Sequence, residues 1–193
     1  MNTALHRLLL LLLLVLPWAA QAGDAADYAK ASPAKQARLL ESWAAAPAPE
    51  RLPLIEALRA NRVAIDQNKT PFIEENGAYR ALEGDAEPVG TPKKLRLNNR
   101  LRGLLNTALA SHQLFAEDPA QRLAAAKRLQ RSGQPEQLEL LQQRLDAEDD
   151  AAVSEALTLA LANLQLTASD PAVRLAAVRL LGETGAPMAR VRR

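Results

Sequence analysis

The 193-residue chain contains no cysteine, two histidines and six aromatic residues. Without cysteine there is no disulfide framework, no thiol nucleophile and no thiolate zinc site. Two each of Phe, Trp and Tyr are too few to fill the facing layers of a β-sandwich or barrel. Neither charge sign is in surplus: 24 basic and 22 acidic residues leave a net charge of +2. That balance argues against an electrostatic nucleic-acid binder, despite a pI near 9.1. What the chain has in quantity is Ala and Leu, together more than a third of it, and both lose little on entering a helix. The composition predicts an all-α protein, with length for one ordinary domain or two small ones.

Residues 1–22 read as a targeting segment. His6 and Arg7 form a short basic start, and Leu8 to Leu16 is an apolar run of nine. Pro17, Trp18 and the small-x-small site Ala20-Gln21-Ala22 follow. This is the three-part plan of a secretory signal peptide. The apolar stretch is shorter than the roughly 20 residues that span a bilayer. Cleavage after Ala22 would leave a periplasmic chain starting at Gly23.

Three zones follow. Residues 23–60 are expected to form Pro-broken helices. Ser32 and Pro33 give an N-cap and a first-turn proline, and Leu39, Leu40 and Trp43 share the face that follows. Pro47-Ala48-Pro49 ends that helix, and Leu54, Ile55 and Leu58 mark the next. Residues 61–94 carry the short β-like runs 63–65, 72–73 and 79–82, separated by Asn68-Lys69, Asn76-Gly77 and Gly84-Asp85. They predict a small β-hairpin or meander. Residues 95–193 are expected to be helical.

That last zone repeats itself. Asp118-Pro119-Ala120-Gln121-Arg122-Leu123-Ala124-Ala125 returns, with a 52-residue period, as Asp170-Pro171-Ala172-Val173-Arg174-Leu175-Ala176-Ala177. The register holds from Leu105 with Leu157 to Gly133 with Gly185 and Pro135 with Pro187. Such a period in a helical stretch signals stacked helical units. Asp118 and Asp170 are predicted caps, and Pro119 and Pro171 first-turn residues. Leu123, Ala126 and Leu129, like Leu175, Val178 and Leu181, are the expected core stripes. Gly133 and Gly185 mark helix ends. The runs resemble HEAT-like repeats, which implies that Arg122 and Arg174 tie units together through acidic residues. Helices are expected at about 99–116, 119–131, 135–146, 151–167 and 170–183.

Chemistry is sparse. His112 is the only histidine after signal removal, and its repeat partner is Leu164, which points to a packed core residue. There is no second His or Cys for a metal site. Glu148-Asp149-Asp150 reads as capping charge before a helix, and Glu74-Glu75 as solvated charge beside a turn. Gly182-Glu183-Thr184-Gly185 lacks the Lys-Ser/Thr pair of a phosphate loop. Lys93-Lys94-Leu95-Arg96 with Arg100 and Arg102 has no interleaved aromatics and reads as a solvated helix start. No catalytic, cofactor or metal residues are assigned, the ligand-binding residues are unknown, and the chain is not expected to be an enzyme.

Arg96-Leu97-Asn98-Asn99-Arg100-Leu101-Arg102, with Ala108-Leu109-Ala110-Ser111-His112-Gln113-Leu114 and the two Asp-Pro-Ala runs, carries a more specific likeness. Together with the signal peptide, these segments resemble the extracytoplasmic N-terminal region of the permease subunit of bacterial urea ABC transporters. Those subunits fall within the branched-chain amino-acid-type permeases. The resemblance covers essentially the whole chain. It implies an all-α, HEAT-like helical-repeat solenoid with a small β-hairpin insertion, acting as a periplasmic accessory domain. Its implied partner is the membrane part of the permease, with a solute-binding protein as a further candidate; nucleic acid and cofactors are not implied. The family continues into transmembrane helices that this sequence does not include, so the chain is expected to be truncated and unable to transport by itself. The alternative is a free-standing periplasmic HEAT-like scaffold.

The cleavage expectation is directly measurable. N-terminal sequencing of exported protein should begin at Gly23; an intact Met1 in that fraction would overturn it.

Overall fold

The computed structural model describes residues 21–82 and 84–183. The targeting segment up to residue 20, and Thr184, Gly185 and Pro187 of the repeat, lie outside the described residues. The chain divides into two compact units. One gathers residues up to Leu39 with Ala48–Arg102; the other gathers Leu40–Pro47 with residues from Gly103 onward.

The first unit begins with α1 (Gln21–Lys30) and the opening of α2 (Pro33–Ala45), followed by a 3-10 turn at Pro49–Arg51 and α3 (Leu52–Arg59). The expected start signal of α2 is present: Pro33 is its first residue, and Ser32 Oγ accepts the Lys35 N–H at 3.4 Å. Gln36 Nε2 donates to the Tyr28 carbonyl at 3.1 Å, joining α1 to α2. Leu54, Ile55 and Leu58 are buried on α3, as their spacing predicts.

The β zone is larger than a hairpin. It is a four-stranded antiparallel sheet of β1 (Val63–Ile65), β2 (Pro71–Glu75), β3 (Ala78–Ala81) and β4 (Lys93–Lys94), in the order β3-β2-β1-β4. The β2–β3 turn is the expected Asn76-Gly77, with φ of 53° and 82°. Positive φ at both central residues is the two-residue turn whose twist matches the strands, and Glu75 pairs with Ala78 around it. β4 corrects the sequence reading. Lys93 and Lys94 are not a helix start but an edge strand, opposite Ile65 and Ala64. The edge of β1 needs partners for its backbone groups, a demand that no two-residue pattern reveals in advance. The helix expected there begins at Asn99.

The second unit is helical. It is built from the end of α2, α4 (Asn99–Gln113) from Gly103 onward, α5 (Pro119–Ser132), a 3-10 turn at Pro135–Gln137, α6 (Leu138–Asp146), α7 (Ala151–Gln165) and α8 (Pro171–Glu183). On α2, Leu40 and Trp43 are buried and Leu39 is half-buried. The sequence period is reproduced along the chain: α4 and α7 start and stop one full period apart, and so do the starts of α5 and α8. The caps repeat as well. Asp118 Oδ1 accepts the Ala120 N–H at 2.9 Å, and Asp170 Oδ1 accepts the Ala172 N–H at 2.8 Å. Asn98 and Asp150, in the same register, cap α4 and α7 through the N–H groups of Leu101 and of Ala152 and Val153. The Asn98 cap is hidden in the sequence because it sits inside a polar run with Asn99. Gly133 does end α5, but with φ of −62° rather than in the left-handed region. Glycine is needed there because a Cβ would lie 2.6 Å from the Leu129 carbonyl oxygen and 3.3 Å from Leu164.

The core fills between α4, α5, α6 and α7. Leu114, Ala126, Leu129, Leu141, Leu157 and Ala160 are among its buried side chains, with Leu123 partly buried against them. A smaller cluster joins α7 to α8 through Ala162, Ala177 and Leu181. Here the expected stripe fails in part. Leu181 is fully buried, but Leu175 is 50% exposed and Val178 42% exposed, whereas Ala126, the repeat equivalent of Val178, is 0% exposed. Helix α8 rests on α7 by one flank, and these two side chains lie off that flank.

Leu181→Ala should therefore cost about 2–5 kcal/mol by burial loss and cavity formation. Leu175→Ala should cost about 1 kcal/mol or less, because half the side chain already meets solvent. Asp118→Ala should cost about 1 kcal/mol through its cap. Equal Tm losses for the two leucines would show that the core face of α8 is misassigned.

Candidate functional site

The polar groups singled out by sequence lie in local hydrogen bonds and ion pairs or on exposed helix faces. His112 is buried in α4 with Nδ1 2.8 Å from the Ala108 carbonyl oxygen. A carbonyl only accepts, so the ring proton sits on Nδ1 and the residue belongs to the core, as its pairing with buried Leu164 suggests. Glu75 is exposed beside the turn, as expected, and Glu74 is half-buried. Glu74 pairs with Lys94 at 2.9 Å, and Glu75 with Arg80 at 3.3 Å and Arg62 at 3.7 Å. Arg100 and Arg102 are exposed on α4. Gly182 and Glu183 lie within α8, while Thr184 and Gly185 fall outside the described residues.

Asp66, which carries no motif in the sequence, is buried in the β1–β2 connection. Its carboxylate accepts the N–H groups of Thr70 at 2.8 Å, Asn68 at 2.9 Å and Val89 at 3.1 Å. Burial pushes this carboxyl up, but those backbone donors, with the Thr70 side chain, together outweigh it and hold it below the ordinary range. With its bonds directed chiefly at backbone, it organises two loops. In the same unit, a small cleft bordered by Glu50, Leu54 and Leu82 has the Asp24–Arg51 ion pair at its edge, at 2.6 Å. Those two charges satisfy one another. Among the described residues, no group of three or more His, Asp or Glu is placed to hold a metal ion, and no helix is long and apolar enough to cross a membrane.

The strongest polar arrangement is in the second unit. Arg122 Nη1 donates to the carbonyls of Ala116 and Glu117 at 2.9 and 2.8 Å, closing the α4–α5 loop. Its other edge grips Glu148 by both oxygens, Nε–Oε2 at 2.9 Å and Nη2–Oε1 at 2.7 Å. Arg144 Nη2 approaches the same carboxylate at 3.4 Å, and its guanidinium sits 5.0 Å from the Phe115 ring centroid. The Glu148 side chain is only 1% exposed. Hydrogen bonding from Arg122 lowers its pKa from 4.5 to about 2, against the opposing effect of burial. The acidic run 148–150 reads as capping charge by sequence, and that holds only for Asp150. Glu148 is instead the acidic partner that the repeat pattern implies for Arg122, and it also accepts the Asp150 N–H at 3.1 Å.

Arg174 repeats half of this. Its Nη1 donates to the Ala168 and Ser169 carbonyls at 2.7 and 2.8 Å, the repeat equivalents of Ala116 and Glu117. Among the described residues no carboxylate meets its Nε–Nη2 edge. Beside it on the same helix lie the exposed Leu175 and Val178. Arg174, Leu175 and Val178 thus share one helix.

The chain has no significant match to a protein-family model, a curated protein or a solved structure.

Because the folded-state pKa of Glu148 lies below its ordinary value, its ion pair stabilises the fold fully above about pH 4.5. That stabilisation is lost as pH falls toward 2. Glu148→Gln should lower Tm at neutral pH and flatten the Tm profile between pH 4.5 and 2. Superimposable profiles for the two proteins would remove Glu148 from that role.

Proposed function

We propose that the chain is the periplasmic N-terminal accessory domain of a urea ABC transporter permease subunit, a HEAT-like repeat module that binds protein rather than substrate. The observation that carries this reading is the 52-residue period written into helices: two pairs with common caps, and two arginines locking equivalent loops. A repeated helical pair of this kind presents surfaces for neighbours. The signal-peptide plan of residues 1–22 supplies the compartment, and the Leu97-Asn98-Asn99-Arg100-Leu101-Arg102 run supplies the likeness to the permease family. In this reading the membrane part of the permease is the partner, a solute-binding protein docks in turn on the assembled module, and the module performs no catalysis and no transport.

The test is an in-frame deletion of codons 23–193 in the native host, scored by uptake of labelled urea at limiting concentration. Uptake should fall by at least tenfold and return on complementation. Unchanged uptake would overturn the transporter assignment and favour the free-standing scaffold.

A further inference from the structure

Asn76 is the only asparagine in the chain that is followed by glycine. Both residues are exposed at the tip of the β2–β3 hairpin, beyond its last ladder pair, Glu75 with Ala78. Among the described residues nothing hydrogen-bonds to the Asn76 side chain or to the Gly77 N–H. A Cβ on Gly77 would meet no atom within 4 Å apart from its chain neighbours, so the nitrogen beside it is open to solvent and base. Asn61 and Asn68 provide the contrast. Asn61 has a similar φ, 54° against 53° for Asn76. The next nitrogen, Arg62 N, donates to the Ala57 carbonyl at 2.9 Å, and Lys69 N after Asn68 donates to the Asp66 carbonyl at 3.1 Å.

The turn geometry adds a second argument. With φ of 53° at Asn76 and 82° at Gly77, the turn is of type I′. Type II′, the other two-residue hairpin turn, keeps φ near +60° at its first central residue but sets ψ there to about −120°. A five-membered ring joining an asparagine side chain to the next nitrogen holds ψ at about that same value. Rotating the one peptide plane between residues 76 and 77 therefore carries Gly77 N onto Asn76 Cγ without breaking the Glu75–Ala78 pair. The rotation turns φ of residue 77 negative, which glycine accepts without steric cost.

We propose that the Asn76-Gly77 tip is a self-modifying site, at which Asn76 deamidates within the folded hairpin to aspartate and isoaspartate. Base removes the proton from Gly77 N, and that nitrogen attacks Asn76 Cγ. The new C–N bond closes a succinimide, and the side-chain amide nitrogen leaves as ammonia. Water then opens the ring. Attack at Cγ gives aspartate in an unchanged main chain; attack at the main-chain carbonyl gives isoaspartate, with the chain now running through Cγ. One water enters and one ammonia leaves, with no oxidant, cofactor or second protein. The product turns a neutral tip anionic beside Glu75, which holds Arg80 at 3.3 Å and Arg62 at 3.7 Å, so a new carboxylate competes for both guanidinium groups. Isoaspartate also adds a methylene to the two-residue turn that sets the register of β2 against β3. The site depends on neither the partner nor the compartment proposed for the chain.

The test is peptide mapping of the purified chain, held folded in mildly alkaline buffer and compared with an unincubated control. Trypsin releases residues 70–80, in which Asn76 is the only amide side chain, so replacement of NH2 by OH there has one source. Isoaspartate in that fragment is identified by enzymatic carboxyl methylation. Because the ring closes without opening the hairpin, the folded chain should convert within about tenfold of the rate of a synthetic peptide 70–80. The rate should rise with pH. Asn68, in the tryptic fragment 63–69, should convert at least about tenfold more slowly, since Lys69 carries a Cβ and a bonded N–H. Asn76→Gly keeps a two-residue turn and should abolish the change in fragment 70–80. If that variant unfolds, the comparison of the unaltered chain with the free peptide carries the test. Three results would overturn the proposal. They are a folded chain more than about tenfold slower than the peptide, aspartate formed without isoaspartate, or Asn68 converting as fast as Asn76. Unchanged urea uptake leaves this site standing, and an unreactive Asn76 leaves the uptake test standing.

Discussion

The second unit depends on one demand: the carbonyls of the loop between two paired helices must find donors. Between α4 and α5 the chain reverses within a short loop, where the oxygens of Ala116 and Glu117 have no helical partner. A single guanidinium satisfies both. Ala116 is partly buried, and a carbonyl without a donor is costly in such a place. Five fixed donors in one plane allow Arg to serve two carbonyls with one nitrogen and still offer an edge to a carboxylate, which Lys cannot do. The Asp cap and first-turn Pro lie beside that clamp in both pairs.

The loop between α6 and α7 shows how three adjacent acids divide. Asp150 faces the start of α7, where its short side chain reaches two backbone N–H groups. Glu148, slightly earlier in the chain and one methylene longer, reaches back to Arg122. Asp149 between them is exposed. Burying Glu148 is tolerable because the desolvation cost is met by a bidentate partner and a backbone donor. Its low pKa is the titration signature of that arrangement, and Arg144 over Phe115 closes it from one side.

Helix positions are legible in the sequence because their signals are local. Asp-Pro at a helix start and a 52-residue period place α5 and α8 with their first residues, and Asn76-Gly77 specifies its turn by the φ values only such residues readily adopt. What is not legible is set by non-local partners. β4 exists because β1 has an edge to satisfy. Glu148 pairs with an arginine 26 residues earlier, in the first turn of α5, and nothing in Glu-Asp-Asp distinguishes the pairing acid from the capping one. Asp66 looks like any turn aspartate until the distant Val89 N–H arrives. Gly133 is expected at a helix end on grounds of backbone dihedral, yet the reason it holds is the close approach of the Leu129 carbonyl.

The same distinction bears on α8. Periodicity marks Leu175 and Val178 as core positions, and by local criteria they are at least as strong as Leu123 and Ala126, since Val is larger and more apolar than Ala. Yet Ala126 is buried and Val178 is not. A repeat holds one register by sequence but buries its faces only through neighbours, so equivalent positions differ in exposure wherever their neighbours differ. Scattered apolar side chains on a surface need no explanation. Two of them, in register with a pair packed into the core and adjoining an arginine that repeats half of its counterpart's bonds, do. The physical content of the mismatch is a difference in neighbours: α5 rests on α7 across a core that α4 and α6 share, whereas α8 meets α7 through Ala177 and Leu181.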